Sequence, residues 1–411
     1  MTALIAALAL LGAACGSSSK SDASGSTGTT QPPPTGTPLK IGWMSTLTSS
    51  TVSGPNAGKD GMDAWVKWTN GHGGINGHPV EVVAYADDKA DPAVGLAAVK
   101  DMVENEHVIA IVGSSAGNTQ QTWAPYVLSK RIPVISGSLI DATWFTNAMF
   151  YPVGGSVVTN TWGQMKSAAE AGMKKVGVLL CTEVAACAQA QPLFKANATA
   201  VGMEEVYSAL ASETQASYTA ECLAAKNAGA EAVANFTNPT VMARDCARQN
   251  YNPVWISADM GPSLSLIKQQ PSLGSALGSS EQWNCQDQSL TVQPAKDLDA
   301  ALKEFHPEWT PSGKNYDLFS SGVCTAWAGG MAFAKAIENA GVTATATATN
   351  EDVIKGLSMF KDETLGGITS PLTFADGSKP NAQVTCTYLS KWANQKLVSV
   401  PGPDGLWTCN P

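Results

Sequence analysis

The chain has 411 residues, 44% of them hydrophobic and 14% charged, with a formal net charge of −9. Cores divide beyond about 250–300 residues, so more than one folding unit is expected. The apolar fraction excludes a disordered chain, and the acidic balance argues against a nucleic-acid groove or a basic membrane patch, which need clustered Lys and Arg.

Chain order begins with an export pattern. Residues 2–11 read T-A-L-I-A-A-L-A-L-L, followed by Gly12, Ala13, Ala14 and Cys15, then a Ser/Thr/Gly tract. An apolar run of about 12 residues is too short to span a bilayer, which needs roughly 20, but it has the size of a signal-peptide core. Small residues ahead of a Cys look like a bacterial lipobox, so residues 1–15 are read as a lipoprotein signal with Cys15 as the lipidated residue. Gly12 stands where a lipobox usually has Leu, and no Lys or Arg precedes Lys20, which predicts a natural start upstream of Met1. Residues 16–38, ending Q-P-P-P-T-G-T-P, have nothing to bury and are read as a disordered tether. The expected location is extracytoplasmic, lipid-anchored to the outer face of the cytoplasmic membrane.

From Leu39 onward short apolar runs alternate with amphipathic stretches. Strands are expected at 39–44, 79–85, 107–113 and 132–136, with helices at 56–70, 91–104 and 118–130 between them. Pro92 suits the first helical position after Asp91. This β-α order implies a parallel sheet wrapped by helices. After a break near 151–155 the grammar restarts: helices at 159–171, 191–200, 218–228 and 239–250 lead to strands at 175–180, 204–208, 230–236 and 253–257. Later helices are expected at 295–305, 318–340 and 351–359, and a closing hairpin from 382–389 and 395–400. The fold class is α/β, two doubly wound lobes about a cleft, which is the default ligand site. Residues 39–152 with about 281–365 are assigned to lobe one, and 153–280 with about 366–411 to lobe two.

Of nine cysteines, removing Cys15 leaves eight in an oxidising compartment: Cys181, Cys187, Cys222, Cys246, Cys285, Cys324, Cys386 and Cys409. Eight cysteines allow 105 pairings; neighbour order favours 181–187, 222–246, 285–324 and 386–409. None has C-x-x-C spacing, so neither a zinc site nor a redox pair is expected.

Four segments carry a family resemblance: I-G-W-M-S-T-L-T (41–48), the run 61–92 with G-G-I-N-G and D-D-K-A-D-P, I-V-G-S-S-A-G-N-T (111–119), and A-P-Y-V-L-S-K-R-I-P-V-I-S (124–136). Together they resemble the type I periplasmic binding proteins of branched-chain amino acid ABC importers, over about residues 39–400. The resemblance implies a small polar solute, an amino acid or a related compound, captured by lobe closure and delivered to a permease. It implies a monomer with no cofactor, no metal and no catalytic residue. It also implies a site. Ser114, Ser115, Asn118 and Thr119 fall where the family seats a carboxylate, at a helix N-terminus suited to an anion. Ser136, Gly137 and Ser138 fall on the loop that binds the amino-acid head. Asp259 falls where the family opposes an acid to the ammonium; alternatively it is a turn carboxylate capping a helix.

Lobe two departs from the pattern. The family's Tyr after strand 175–180 is replaced by Cys181–Cys187, and the aromatic expected near 239–240 by Pro239-Thr240. Side-chain selection is therefore expected to differ. Trp43, Trp123 and Trp144 are near the expected cleft, where one could stack on a ligand; core packing is the plainer reading for each.

Two rival functions stay open at this level. A ligand-sensing receptor would use the same fold. A secreted serine hydrolase would use Ser115, because Gly113-Ser114-Ser115-Ala116-Gly117 spells G-x-S-x-G between a strand and a helix. Only His306 follows it in the chain, at a helix end rather than after a strand, and His72-Gly73-Gly74 stands in reverse context for an oxyanion loop. Asp87-Asp88 is read as a solvated turn or cap rather than an acid/base pair.

Overall fold

A computed structural model describes residues 32–48, 54–117, 119–139, 142–183 and 185–410. The expected lipidation at Cys15 and the site residue Asn118 lie outside the described residues.

The first half runs β1 (Leu39–Ser45), α1 (Ala57–Gly71), β2 (Val80–Asp87), α2 (Pro92–Glu104), β3 (Ala110–Ser114), α3 (Gln120–Lys130), β4 (Val134–Gly137), α4 (Thr143–Thr146) and β5 (Phe150–Tyr151). The second continues with α5 (Val157–Glu170), β6 (Lys175–Cys181), α6 (Ala185–Ala200), β7 (Glu204–Ala211), α7 (Thr219–Asn227), β8 (Ala232–Asn235), α8 (Pro239–Arg248), β9 (Val254–Ala258), α9 (Leu264–Gln269) and β10 (Leu277–Ser280). The last part supplies α10 (Gln293–Phe305), α11 (Gly322–Ala340), α12 (Asn350–Ser358), β11 (Cys386–Ala393), β12 (Lys396–Val400) and β13 (Thr408–Cys409).

Local chemistry sets the helix starts. Asn56 accepts from the Lys59 N–H, Asp91 from Ala93 and Val94, and Ser156 from Thr159, each satisfying backbone donors that a helix leaves open. The G-G-I-N-G turn requires glycine at 74: its φ is +69°, and a Cβ there would stand 2.1 Å from the His78 carbonyl oxygen.

The first sheet is parallel, in the order β2-β1-β3-β4-β5. The second repeats that order as β7-β6-β8-β9-β10, again parallel, and adds antiparallel β11 and β12 at the β10 edge. Strands β3 and β4 are buried throughout, as a sheet covered by helices on both faces demands. Helix α11 packs on α1, β3 and β4, and α12 packs on α11, so these late helices return to the first sheet. Strands β11 and β12 return to the second. The chain passes between the sheets after β5, after β10 and before β11.

All four expected disulfides form: Cys181–Cys187, Cys222–Cys246, Cys285–Cys324 and Cys386–Cys409. Sequence reasoning missed α4, β5, α9, β10 and β13, all six residues or shorter, too brief to show a period. It began the long late helix at 318, whereas α11 begins at Gly322 after a 3-10 turn at Tyr316–Leu318.

Candidate functional site

A cleft of about 360 Å³ opens where the two sheets face each other. The first sheet contributes Ser45 at the end of β1, Ser115 just after β3, and Gly137 and Ser138 at the end of β4. Ala258, Asp259, Ser280, Glu281 and Gln282 come from the ends of β9 and β10, and Asn160 from α5. Asn56 and Gly58 from the start of α1, and Ser320, Ser321, Gly322 and Thr325 around the start of α11, complete the wall. In open α/β sheets ligands gather at the carboxyl ends of strands, and β1 with β3 is the switch point of the first sheet.

Four of the eight residues expected at the site line this cleft: Ser115, Gly137, Ser138 and Asp259. Gly137 must lack a side chain, because a Cβ would lie 2.6 Å from the Ser114 carbonyl oxygen. Three others have their hydroxyls engaged inside the protein. Ser114 Oγ accepts from the Met44 N–H at 3.0 Å, and Ser136 Oγ donates to the Thr325 carbonyl at 3.1 Å. Thr119 Oγ1, fully buried, donates to Asp88 at 2.7 Å. The expected anion seat at the start of α3 is also closed on itself in part. Ser115 N–H donates to the Met44 carbonyl, and the Thr119 and Gln120 N–H groups both donate to the Ala116 carbonyl.

Asp87 and Asp88 divide their roles. Asp87 accepts from Leu47, Thr48 and Lys89, and these bonds outweigh its partial desolvation and bring its pKa down to about 2. Asp88 corrects the expectation of a solvated turn. It is wholly buried and gathers Thr46, Thr119 and the Ala90 N–H, fastening the ends of β1 and β2 to the start of α3. The three tryptophans are likewise core. Trp43, Trp123 and Trp144 are at most 1% exposed, and Trp43 Nε1 donates to the Gly113 carbonyl. They do not line the cleft.

Asp259 is not a helix cap; that position before α9 is Ser263, which accepts from Leu266. Its φ is +62°, a left-handed conformation Asp tolerates, and its carboxylate accepts from Ser321 Oγ at 2.6 Å and Ser280 Oγ at 3.3 Å. Protein on both sides displaces water and pushes the Asp259 carboxyl upward, against the two hydroxyl donors. The side chain still meets solvent within the cleft, which screens that rise.

Sequence reasoning missed Glu281, Gln282 and Asn160. Glu281 is half-buried, and its Oε1 accepts from Asn160 Nδ2 at 3.2 Å. Desolvation pushes the Glu281 carboxyl up to about 7, with the Asp259 charge adding to the rise and the Asn160 bond opposing it. No motif marks E-Q-W-N-C at 281–285; the signal would have been a lone acid placed directly after a strand that was itself too short to recognise.

The hydrolase constellation is not assembled. Both ring nitrogens of His306 face carboxylates, Asp63 at 2.7 Å and Glu308 at 3.0 Å, so this ring is engaged away from Ser115.

The periplasmic binding protein family model matches residues 38–396. The chain belongs to the periplasmic binding protein family. The fold is of type I, and three solved structures illustrate it. A branched-chain amino acid ABC transporter protein from Thermus thermophilus with bound valine superposes with a TM-score of 0.71 at 14% identity, covering 89% of this chain and 96% of that one. A leucine-binding protein from Thermotoga maritima gives 0.69 at 14% identity, with 88% and 97% covered. A solute-binding protein of an ABC transporter from R. palustris, in complex with 4-hydroxybenzoate, gives 0.65 at 19% identity, with 88% and 95% covered. No curated protein matches the chain. The family consists of binding proteins located outside the cytoplasm, and this chain is a binding protein rather than an enzyme. Among the described residues no helix is long and apolar enough to cross a membrane.

Proposed function

We infer that the chain captures a small polar solute for an ABC importer. The carrying observation is the inter-sheet cleft, lined on both sides by strand ends, in a chain of the periplasmic binding protein family. The lining side chains bear hydroxyls, carboxylates and carboxamides, and none of the described lining residues is aromatic or a large aliphatic, which suits a small polar solute. The relatives described above carry valine and 4-hydroxybenzoate, so the fold accommodates solutes of this size.

Ligand that touches both lobes favours the closed arrangement by its differential contacts, and the closed form docks on a permease as a monomer. Cys15 supplies a lipid anchor and the stretch from residue 16 to about residue 35 a tether, since Gly36 and Thr37 already bond to Gly77 and His78, keeping the lobes at the outer face of the membrane. Ser115 and Ser138, with Ser45, orient the solute, and Asp259 faces its positive end.

A thermal-shift screen of the chain against amino acids, amines and small amides tests this reading. A cognate solute raises the melting temperature in a concentration-dependent manner. Esterase turnover abolished by Ser115→Ala, with no solute stabilising the chain, would refute it.

A further inference from the structure

The described residues that line the cleft include two acids and no basic group. Asp259 and Glu281 are the only charged groups among the described lining residues. The short undescribed internal segments, 49–53, 118, 140–141 and 184, contain no lysine or arginine either. Each carboxylate is held by neutral donors only: Ser321 and Ser280 at Asp259, Asn160 at Glu281. Both lie on lobe two or on the passage leaving it, so one ligand can meet both without spanning the mouth.

An acidic pair alone would not define a site, but a second observation points to a ligand. Gln282 lines the same cleft, is 4% exposed, and neither its Oε1 nor its Nε2 has a partner. A buried carboxamide left without partners is costly, whereas its oxygen is an acceptor suited to an ammonium N–H entering the cleft.

We propose that the solute is a small organic cation with two ammonium groups a few carbons apart, seated on Asp259 and Glu281 with Gln282 as an added acceptor. The inference rests on the solute-binding reading and narrows its ligand class. A single ammonium neutralises one carboxylate and leaves the other facing it; two neutralise both. Desolvation, with the Asp259 charge adding to it, holds a proton on Glu281 near neutrality; an ammonium against that carboxyl offsets both, and the proton leaves when the second cation arrives. Two sources share this chemistry, a diamine and a basic amino acid. They differ by a carboxylate, for which the Ser115 and Ser138 hydroxyls are the available donors.

The test is titration calorimetry of the full chain at pH 7 with 1,5-diaminopentane, lysine, 1-aminopentane and valine, each in two buffers of different ionisation enthalpy. Either or both of the two-cation compounds are expected to bind at least about tenfold tighter than both one-cation compounds, releasing roughly half a proton per site. Lysine tighter than 1,5-diaminopentane identifies an amino acid; the reverse identifies a diamine. Glu281→Gln is expected to abolish the proton release and bring the preference within about twofold, at an unchanged far-ultraviolet spectrum. The wild-type comparison stands on its own should that variant not fold. Valine or 1-aminopentane binding as tightly as lysine and the diamine overturns the inference and leaves solute binding intact. Binding of none of the four also overturns it, and the wider thermal-shift screen then decides separately whether the chain binds a solute.

Discussion

The two sheets share one strand order yet present different chemistry to the cleft between them. The first sheet meets it at its switch point, through Ser45, Ser115, Gly137 and Ser138, which are neutral. Its acids at the strand ends are engaged by the protein itself, Asp88 in the core by Thr46 and Thr119, and Asp87 nearer the surface by the backbone of 47, 48 and 89. The second sheet does not use its switch point, β6 beside β8, where the Cys181–Cys187 bridge closes the loop after β6. It meets the cleft from β9 and β10 instead, and brings both negative charges. Topology thus decides where a site can form, and the residues at a few strand ends decide which lobe carries charge.

Covalent bracing is just as unequal. Three bridges lie within the second lobe, at Cys181–Cys187, Cys222–Cys246 and Cys386–Cys409; the fourth, Cys285–Cys324, joins the passage after β10 to α11. The largest expected effect breaks this asymmetry. Replacing Cys222 and Cys246 together by Ala should cost about 3 kcal/mol, because the bridge closes a loop of 24 residues between α7 and α8. Denaturant titration followed by Trp fluorescence reads it. A cost below about 1 kcal/mol would mean that the α7–α8 packing suffices alone.

Next comes the charge. Asp259→Asn keeps the side chain's shape and one hydroxyl bond to its oxygen, turns the other contact into one its NH2 donates, and removes the carboxylate's charge, so affinity for a cationic solute should fall by about 30- to 100-fold. Calorimetry reads it, and an unchanged Kd would shift the cation's seat elsewhere. On the neutral side, Thr119→Val tests whether that hydroxyl serves the fold or the ligand. The internal network predicts a loss of about 1–3 kcal/mol in stability with Kd altered less than about threefold. The opposite pattern, stable protein and weakened binding, would put Thr119 in the site.

The smallest effect is a pH trend. With its folded pKa raised to about 7, Glu281 keeps its proton in the folded chain where the unfolded chain has lost it. Its contribution to stability is therefore present below about pH 4.5 and fades as pH rises through about 7. Between pH 8 and pH 5 the ligand-free melting temperature should gain more in the wild type than in Glu281→Gln. An equal gain in both would show that Glu281 titrates as an ordinary surface acid.

Much of this was legible in the residues. The parallel lobes followed from alternation of apolar runs and amphipathic stretches, and the disulfide pairs from neighbour order. Asp259 was expected because the family resemblance places an acid at that position, after the apolar strand Val254–Ala258. Glu281 was not, because β10 is only Leu277–Ser280, with Gly278, Ser279 and Ser280 giving no hydrophobic period. The contact between Thr119 and Asp88 was missed for a related reason. A sequence shows that a hydroxyl and a carboxylate exist, but not that residues 31 positions apart meet and satisfy each other in the core.

Glu281 has one further property, set by where it sits along the chain. It is the first residue after β10, on one of three passages between the sheets, and its carbonyl accepts from the Gly155 N–H on another. A residue beside the axis of a hinge travels least when the arms swing. In the lobe closure proposed above, Glu281 therefore holds one end of the solute at nearly constant distance, while the serines of the first lobe, on the longer lever, sweep in to meet the other end.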